Sequence, residues 1–269
     1  MRREVNEKAK TFRTLHEDGL LILPNAWDAA SAALVERAGA KAIATTSAGV
    51  AWSLGRPDDH GLSRDEMVQA VARIAAAVDV PVTADVEGGY DDLAATIGEV
   101  IDAGAVGVNI EDSKPDGTLF EIAGQTQRLR EARAAAASAG LPELVINARI
   151  DVYLLGAGAP EGRLDEVLAR AAAYAEAGAD CLYVIGLSDL EAMAQIARTS
   201  ALPLNALAFP GSPTAAEFER AGVRRLSVGP LVAQAAYAVA QRAAAELLDK
   251  GTCTELAGGV DYGTLNALF

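Results

Sequence analysis

The chain has 269 residues, is 51% apolar and carries a formal net charge of −14, so it can bury a large core unaided, and its apolar content excludes intrinsic disorder. That charge repels phosphates, so neither nucleic acid nor an anionic membrane is an expected partner. The only cysteines, Cys181 and Cys253, stand far apart in no metal-like spacing, which predicts free thiols, with Cys181 buried, and a reducing cytoplasmic setting.

The first 19 residues are charged and lack an apolar signal core, so no secretory leader is expected. No apolar run approaches the roughly 20 residues of a spanning helix. Eight short β-type runs follow, at residues 20–24, 41–46, 82–85, 106–111, 144–149, 181–185, 203–207 and 225–228. Apolar residues at helical spacing fill the gaps, for instance at 92–102 and 164–176. The alanine-rich stretch 131–139 reads as a surface helix. An Ala-Gly-Ala/Val step recurs at 38–40, 103–105, 177–179 and 221–223, each time between a helix and a strand. There the glycine can take the left-handed position that ends a helix. Continuously apolar strands point to a parallel sheet covered on both faces. Eight strand–helix units in a chain of this length predict one (β/α)8 TIM barrel spanning residues 1–269. The alternative, an open doubly wound sheet, lacks a G-x-G-x-x-G turn after its first strand.

Reactive groups of such barrels stand where strands end. Asp85 and Glu87 close the third predicted strand, and Glu111 closes the fourth. Neighbouring strands lie about 5 Å apart, so these carboxylates would repel one another and resist ionisation. A divalent cation removes that conflict, and oxygen-only ligands suit Mg²⁺, or Mn²⁺. The competing reading has the same acids capping helices and pairing with Lys or Arg. Arg149 ends an apolar strand; its planar fork suits a substrate carboxylate or phosphate, or a structural pair with Glu111 or Asp151. Thr46, Ser47 and Ala48, after the second strand, can offer hydroxyls and backbone N–H groups to a substrate oxygen. Asp58 lies in a turn, and His60 reads as a surface histidine, with a loop base as the alternative.

The segments SLGRPD, ADVEGGYDD, VNIEDS and INARID, together with the run from Pro24 to Asp58, closely resemble the isocitrate lyase/phosphoenolpyruvate mutase superfamily. The likeness extends in order from about residue 21 to 228. It implies a Mg²⁺-dependent barrel that makes or breaks a C–C or P–C bond beside a carbonyl, through an enolate-like state. Carried over by position, it makes Asp85 the main metal ligand, with Glu87 and Glu111 on metal-bound waters or on the ion. Glu87 stands where many relatives have aspartate. The resemblance also sets Asp58 near metal and substrate, Arg149 on a substrate carboxylate, Thr46–Ala48 around the substrate and Asn205 as a looser match on strand seven. It implies a homo-oligomer, dimer or tetramer, that exchanges the helix at 231–248 between neighbours. One departure narrows the reading. The loop at 113–119 has no cysteine and no histidine, so the acid/base cysteine of isocitrate and methylisocitrate lyases has no counterpart, and neither has the Lys/Asn loop of the mutases. The expectation is therefore a Mg²⁺-dependent lyase or decarboxylase of a small 2-oxo or 2-hydroxy carboxylate, of the phosphonomutase-like or oxaloacetate-decarboxylase-like branch. A P–C mutase or phosphonopyruvate hydrolase, and a non-catalytic metabolite-binding barrel, are the alternatives.

Overall fold

The repeated Ala-Gly steps end helices as their glycines permit: Gly39, Gly104, Gly178 and Gly222 have φ of 100°, 102°, 96° and 90°. These angles are costly for a residue with a Cβ. The structure is a computed structural model that describes residues 2–269. Its elements, in chain order, are α1 (Arg2–Thr14), β1 (Leu21–Leu23), β2 (Asn25–Ala26), α2 (Ala29–Arg37), β3 (Ile43–Thr45), α3 (Ser47–Ser53) and α4 (Arg64–Ala76). Then come β4 (Val82–Asp85), α5 (Leu93–Asp102), β5 (Gly107–Glu111), α6 (Ile122–Ser138), β6 (Val145–Ile150), α7 (Arg163–Glu176) and β7 (Cys181–Val184). The chain ends with α8 (Leu190–Thr199), β8 (Leu204–Leu207), α9 (Ala215–Arg220), β9 (Val223–Ser227), α10 (Leu231–Lys250) and α11 (Tyr262–Asn266).

All strand pairs are parallel, in the order β1-β9-β8-β7-β6-β5-β4-β3-β2. The first predicted strand is broken in two. Pro24 has no N–H to give a ladder, and the chain changes partner there: β1 pairs with β9, β2 with β3. That single residue joins the two ends of the sheet, which makes the nine short strands a (β/α)8 TIM barrel. The other seven predicted strands stand within about two residues of their expected ends, the last starting earlier, at Val223.

Side chains alternate across the sheet. Val108, Ile110, Ile146, Ala148 and Ile150 are buried against the helices, while Asn109, Asn147 and Arg149 line the barrel's interior. The alanine-rich stretch is the expected surface helix, with one face turned inward. It is the second half of α6, where Ala132 and Ala136 are fully buried and the residues between them are not. Small side chains on one helical face let α6 lie close to its neighbours.

Helix α1 is an addition that strand–helix counting does not anticipate. Phe12 is fully buried beneath β5, so close that a Cβ on Gly107 would stand 2.7 Å from its ring. Arg13 pairs with Asp180 at 2.7 Å and with Glu143 at 2.9 Å, and Lys8 donates to the Val78 carbonyl. These partners all precede strands, so α1 plugs the N-terminal end of the barrel and leaves the opposite end open. Among the described residues, no helix is long and apolar enough to cross a membrane.

Candidate active site at the barrel mouth

Asp85 ends β4 with each oxygen held. Its Oδ2 accepts from the Ser47 N–H at 3.1 Å, and its Oδ1 from Asn109 Nδ2 at 3.2 Å. Beyond it the chain turns sharply, and Glu87 takes φ +50° and Tyr90 φ +58°. Asp59 and His60, facing them from the preceding loop, have φ of 64° and 63°. Among the described residues these four are the only non-glycine positions with positive φ, and all lie on this rim. Strain of this kind costs about 1–3 kcal/mol per residue and persists where the surroundings enforce it. The enforcing contacts are visible: Glu87 Oε2 accepts from the His60 N–H at 2.6 Å and Oε1 from the Tyr90 hydroxyl at 3.0 Å.

Glu111, at the end of β5, faces Arg149 of β6 in the strand register. Arg149 Nη1 lies 2.8 Å from Glu111 Oε2, and its Nε donates to Asp151 Oδ1 at 2.7 Å. Asp151 also accepts from the Ser113 hydroxyl at 2.7 Å. Both structural pairs proposed for Arg149 therefore exist together. Burial works against the arginine's charge, yet Asp151 and Glu111 hold its pKa above the usual value. Asp112 is fully buried and turned away from the mouth, where it takes Arg170 Nη1 at 2.9 Å and the Tyr174 hydroxyl at 2.8 Å. It anchors the strand end from behind.

Acids outnumber bases here, and burial magnifies the effect. Glu111 is pushed up to about 8, by burial first and then, against the pull of Arg149, by the charges of Asp151, Asp85 and Glu87. Glu87 is raised by burial and by Asp85. Asp58 is raised by burial and by Asp85, against the pull of Arg149. Ser47 lines the same cavity as Asp58 and holds Asp85 through its N–H.

Thr46, Ser47, Ala48, Asp58, Asp85, Arg149 and Asn205 all line one cavity of about 260 Å³. Glu87 and Glu111 do not line it; they stand behind Asp85, toward a larger adjoining cavity of about 620 Å³ walled by His60, Tyr90, Phe120 and Arg128. Thr46 spends its hydroxyl as the N-cap of α3. Among the described residues no three acids, histidines or cysteines converge as direct ligands of one ion. The donor set still fits a hard cation that keeps most of its water: Asp85 alone reaches the cavity from the cluster, the remaining acids repel it and each other, and Mg²⁺ is commonly held by one or two carboxylates.

His60 departs from its reading as a surface residue. Its side chain is 22% accessible, with Nδ1 3.3 Å from Glu87 and Nε2 3.9 Å from Glu111. Asn109, Asn147, Tyr183 and Arg225 also line the cavity without having been singled out. The first two were within reach of the sequence, because each lies two residues before a residue already chosen, on the same face of its strand.

Comparison with known proteins follows this geometry. A family profile described as phosphoenolpyruvate phosphomutase matches residues 12–248. A 2,3-dimethylmalate lyase of Eubacterium barkeri is 32% identical over 204 residues, 72% of this chain and 68% of its own. A 2-methylisocitrate lyase of Escherichia coli is 31% identical over 214 residues, 74% of this chain and 69% of its own. The crystal structure of oxaloacetate acetylhydrolase with its product oxalate superposes with a TM-score of 0.87 at 26% identity, covering 97% of this chain and 93% of the other.

Proposed function

The chain belongs to the isocitrate lyase/phosphoenolpyruvate mutase superfamily, and from that premise we propose that it is a Mg²⁺-dependent lyase or decarboxylase of a small 2-oxo or 2-hydroxy carboxylate. The observation that carries this reading is the cavity in which Asp58, Asp85 and Arg149 stand together at the open end of the barrel. Asp85 would hold a divalent cation, with Glu87 and Glu111 on its waters, and the bound ion would supply Lewis-acid charge for the substrate's oxygens. Mn²⁺ meets the same ligand demand.

The chain's own residues do the rest. Arg149 is fixed from two sides by Glu111 and Asp151, so its free edge orients a substrate carboxylate with little entropy left to lose. Asp58, its pKa raised by burial and then by Asp85, is the carboxylate of the cavity suited to exchange a proton with substrate. The Ser47 N–H keeps Asp85 in place at the cavity wall. Asn205, its Oδ1 accepting from the Ser227 hydroxyl at 3.3 Å, presents its amide to the cavity. Burial of these groups strengthens each interaction with charge that develops as the bond beside the carbonyl breaks.

A homo-oligomer built through α10 is part of the proposal. Tyr237, Val239, Leu247 and Leu248 on this helix are exposed, Leu248 by 88%, and a neighbour that packs on them would remove that apolar surface from water. A cytoplasmic location goes with the free thiols Cys181 and Cys253.

The test is a screen of oxaloacetate, methylisocitrate, isocitrate and phosphonopyruvate with Mg²⁺, monitored by pyruvate release, with calorimetry of Mg²⁺ and Mn²⁺ binding beside it. Protein that binds neither ion removes the metal-centred reading. The family profile's own description favours one second reading, P–C chemistry, which phosphorus NMR on phosphonopyruvate distinguishes.

A further inference from the structure

The turn that carries Asp58 is strained and does not hold its shape alone. From Pro57 to Gly61 the chain doubles back so tightly that a Cβ on Gly61 would stand 2.0 Å from the Pro57 carbonyl oxygen. Asp59 and His60, in the middle of it, take left-handed φ of 64° and 63°. Two successive non-glycine residues in that region persist only where their surroundings enforce it. Asp58 lines the cavity with Asp85 and Arg149, so whatever holds the turn also sets the place of its carboxylate.

A grip on this turn comes from just beyond β4. Glu87 Oε2 accepts from the His60 N–H at 2.6 Å, and the His60 ring brings Nδ1 to 3.3 Å from the same oxygen. The Tyr90 hydroxyl donates to Oε1 at 3.0 Å and so fixes the carboxylate from its other side. Ring Nε2 stands 3.9 Å from Glu111, which extends the contact toward β5. Glu87 is buried, and a backbone N–H given to a buried carboxylate makes a strong, charge-assisted hydrogen bond. Side-chain length is part of the grip, because an aspartate would fall short by one C–C bond, about 1.5 Å. Each carboxylate oxygen can accept more than one bond, so a metal-bound water could share the same group.

We propose that Glu87 and His60 are positioning residues, which together latch the 57–61 turn to the rim of β4 and so hold Asp58 at the cavity wall. Glu87 thereby acts on the reaction through Asp58, besides any hold on the ion's waters. The catalytic meaning of the latch rests on the reading of Asp58 as the proton-exchanging carboxylate, but the latch itself needs neither metal nor substrate. A metal-water role alone predicts that loss of Glu87 leaves the metal-free turn as it was. A latch predicts that the turn comes loose.

Hydrogen–deuterium exchange of the full chain in EDTA, read by mass spectrometry, separates the two. In wild type the turn should contain a slowly exchanging amide, that of His60. Glu87→Ala should speed its exchange at least about tenfold, the worth of a charge-assisted hydrogen bond, with β6 and β7 unchanged. Glu87→Gln, whose amide oxygen can still accept from the His60 N–H, should restore most of the protection. His60→Asn tolerates left-handed backbone and keeps the N–H but loses the ring, and should fall between. If Glu87→Ala does not fold, Glu87→Asp carries the same expectation. A His60 amide that is fast in wild type, unchanged on loss of the glutamate, or accompanied by equal rises in β6 and β7 overturns the latch. On a substrate identified by the screen, His60→Asn should lower kcat about threefold to tenfold and leave KM and the Mg²⁺ Kd within about twofold. An unchanged kcat overturns the link to Asp58. If the screen yields no substrate, the reading of the mouth fails by itself, and exchange in EDTA still decides the latch.

Discussion

The two ends of this barrel treat acidic residues in opposite ways. At the plugged N-terminal end Asp180 is saturated: it takes Arg13 at 2.7 Å, the Arg133 guanidinium, and the backbone N–H of Ile146 at 2.8 Å. At the open end Asp58, Asp85, Glu87, Glu111 and Asp151 crowd around Arg149, and Glu111 and Asp151 take both of its ion pairs. Charge that is matched holds the fold together. Charge in excess costs stability and is kept where a ligand can use it. The four strained non-glycine residues, all on the open rim, follow the same division.

The sharpest break of that contrast is a pair of isosteric variants. Asp85→Asn should lower turnover on an identified substrate by about a thousandfold, the scale of losing metal-assisted charge stabilisation. Its Tm should hold or rise, because a like charge has left the cluster. Full turnover in Asp85→Asn would exclude Asp85 from the chemistry. Asp180→Asn should do the reverse, costing about 2–3 kcal/mol of stability in denaturant unfolding while Mg²⁺ affinity by calorimetry stays within about twofold. Next in size is Arg149→Ala, which leaves two buried carboxylates unpaired and should cost about 3–5 kcal/mol; Arg149→Lys should recover part of that stability but little of kcat/KM, since an ammonium cannot replace the planar fork.

The most gradual effect concerns pH at the plugged end. His16 is pushed down to about 4, by burial first and then by the positive charge of Arg225. Its Nδ1 lies 2.8 Å from the Phe12 carbonyl and therefore carries the proton, which leaves Nε2 without a partner. The folded pKa lies below the unfolded one, so the unfolded chain takes up the proton first. Stability should fall as pH drops from about 6.5 to about 4, by up to about 3 kcal/mol. Urea unfolding of wild type and His16→Gln across that window measures it, and parallel pH profiles for the two would show that His16 contributes nothing.

Much of this was legible in the chain itself. Asp85 and Arg149 were found because a charged residue at the end of an apolar strand has few places to go, and the barrel's periodicity sets that place at the mouth. The Ala-Gly steps marked four helix ends in advance, those of α2, α5, α7 and α9. His60 was misjudged because its placement depends on two left-handed backbone turns, at Asp59 and at His60 itself, that bring it against Glu87. Asn109 and Asn147 were hidden by their neutrality, and Arg225 by standing among the ordinary polar residues of a short strand.

Local rules, taken alone, determined the alternation of strand and helix, the parallel sheet and the set of acids at strand ends, because side-chain period, helix termination and burial act over a few residues. Only the tertiary structure decided the rest. Closure at Pro24, the plug formed by α1, the double clamp on Arg149 and the grip of Glu87 on the His60 turn each depend on groups far apart in the chain. Whether a buried charge is matched is a property of the space around it, which no stretch of sequence contains.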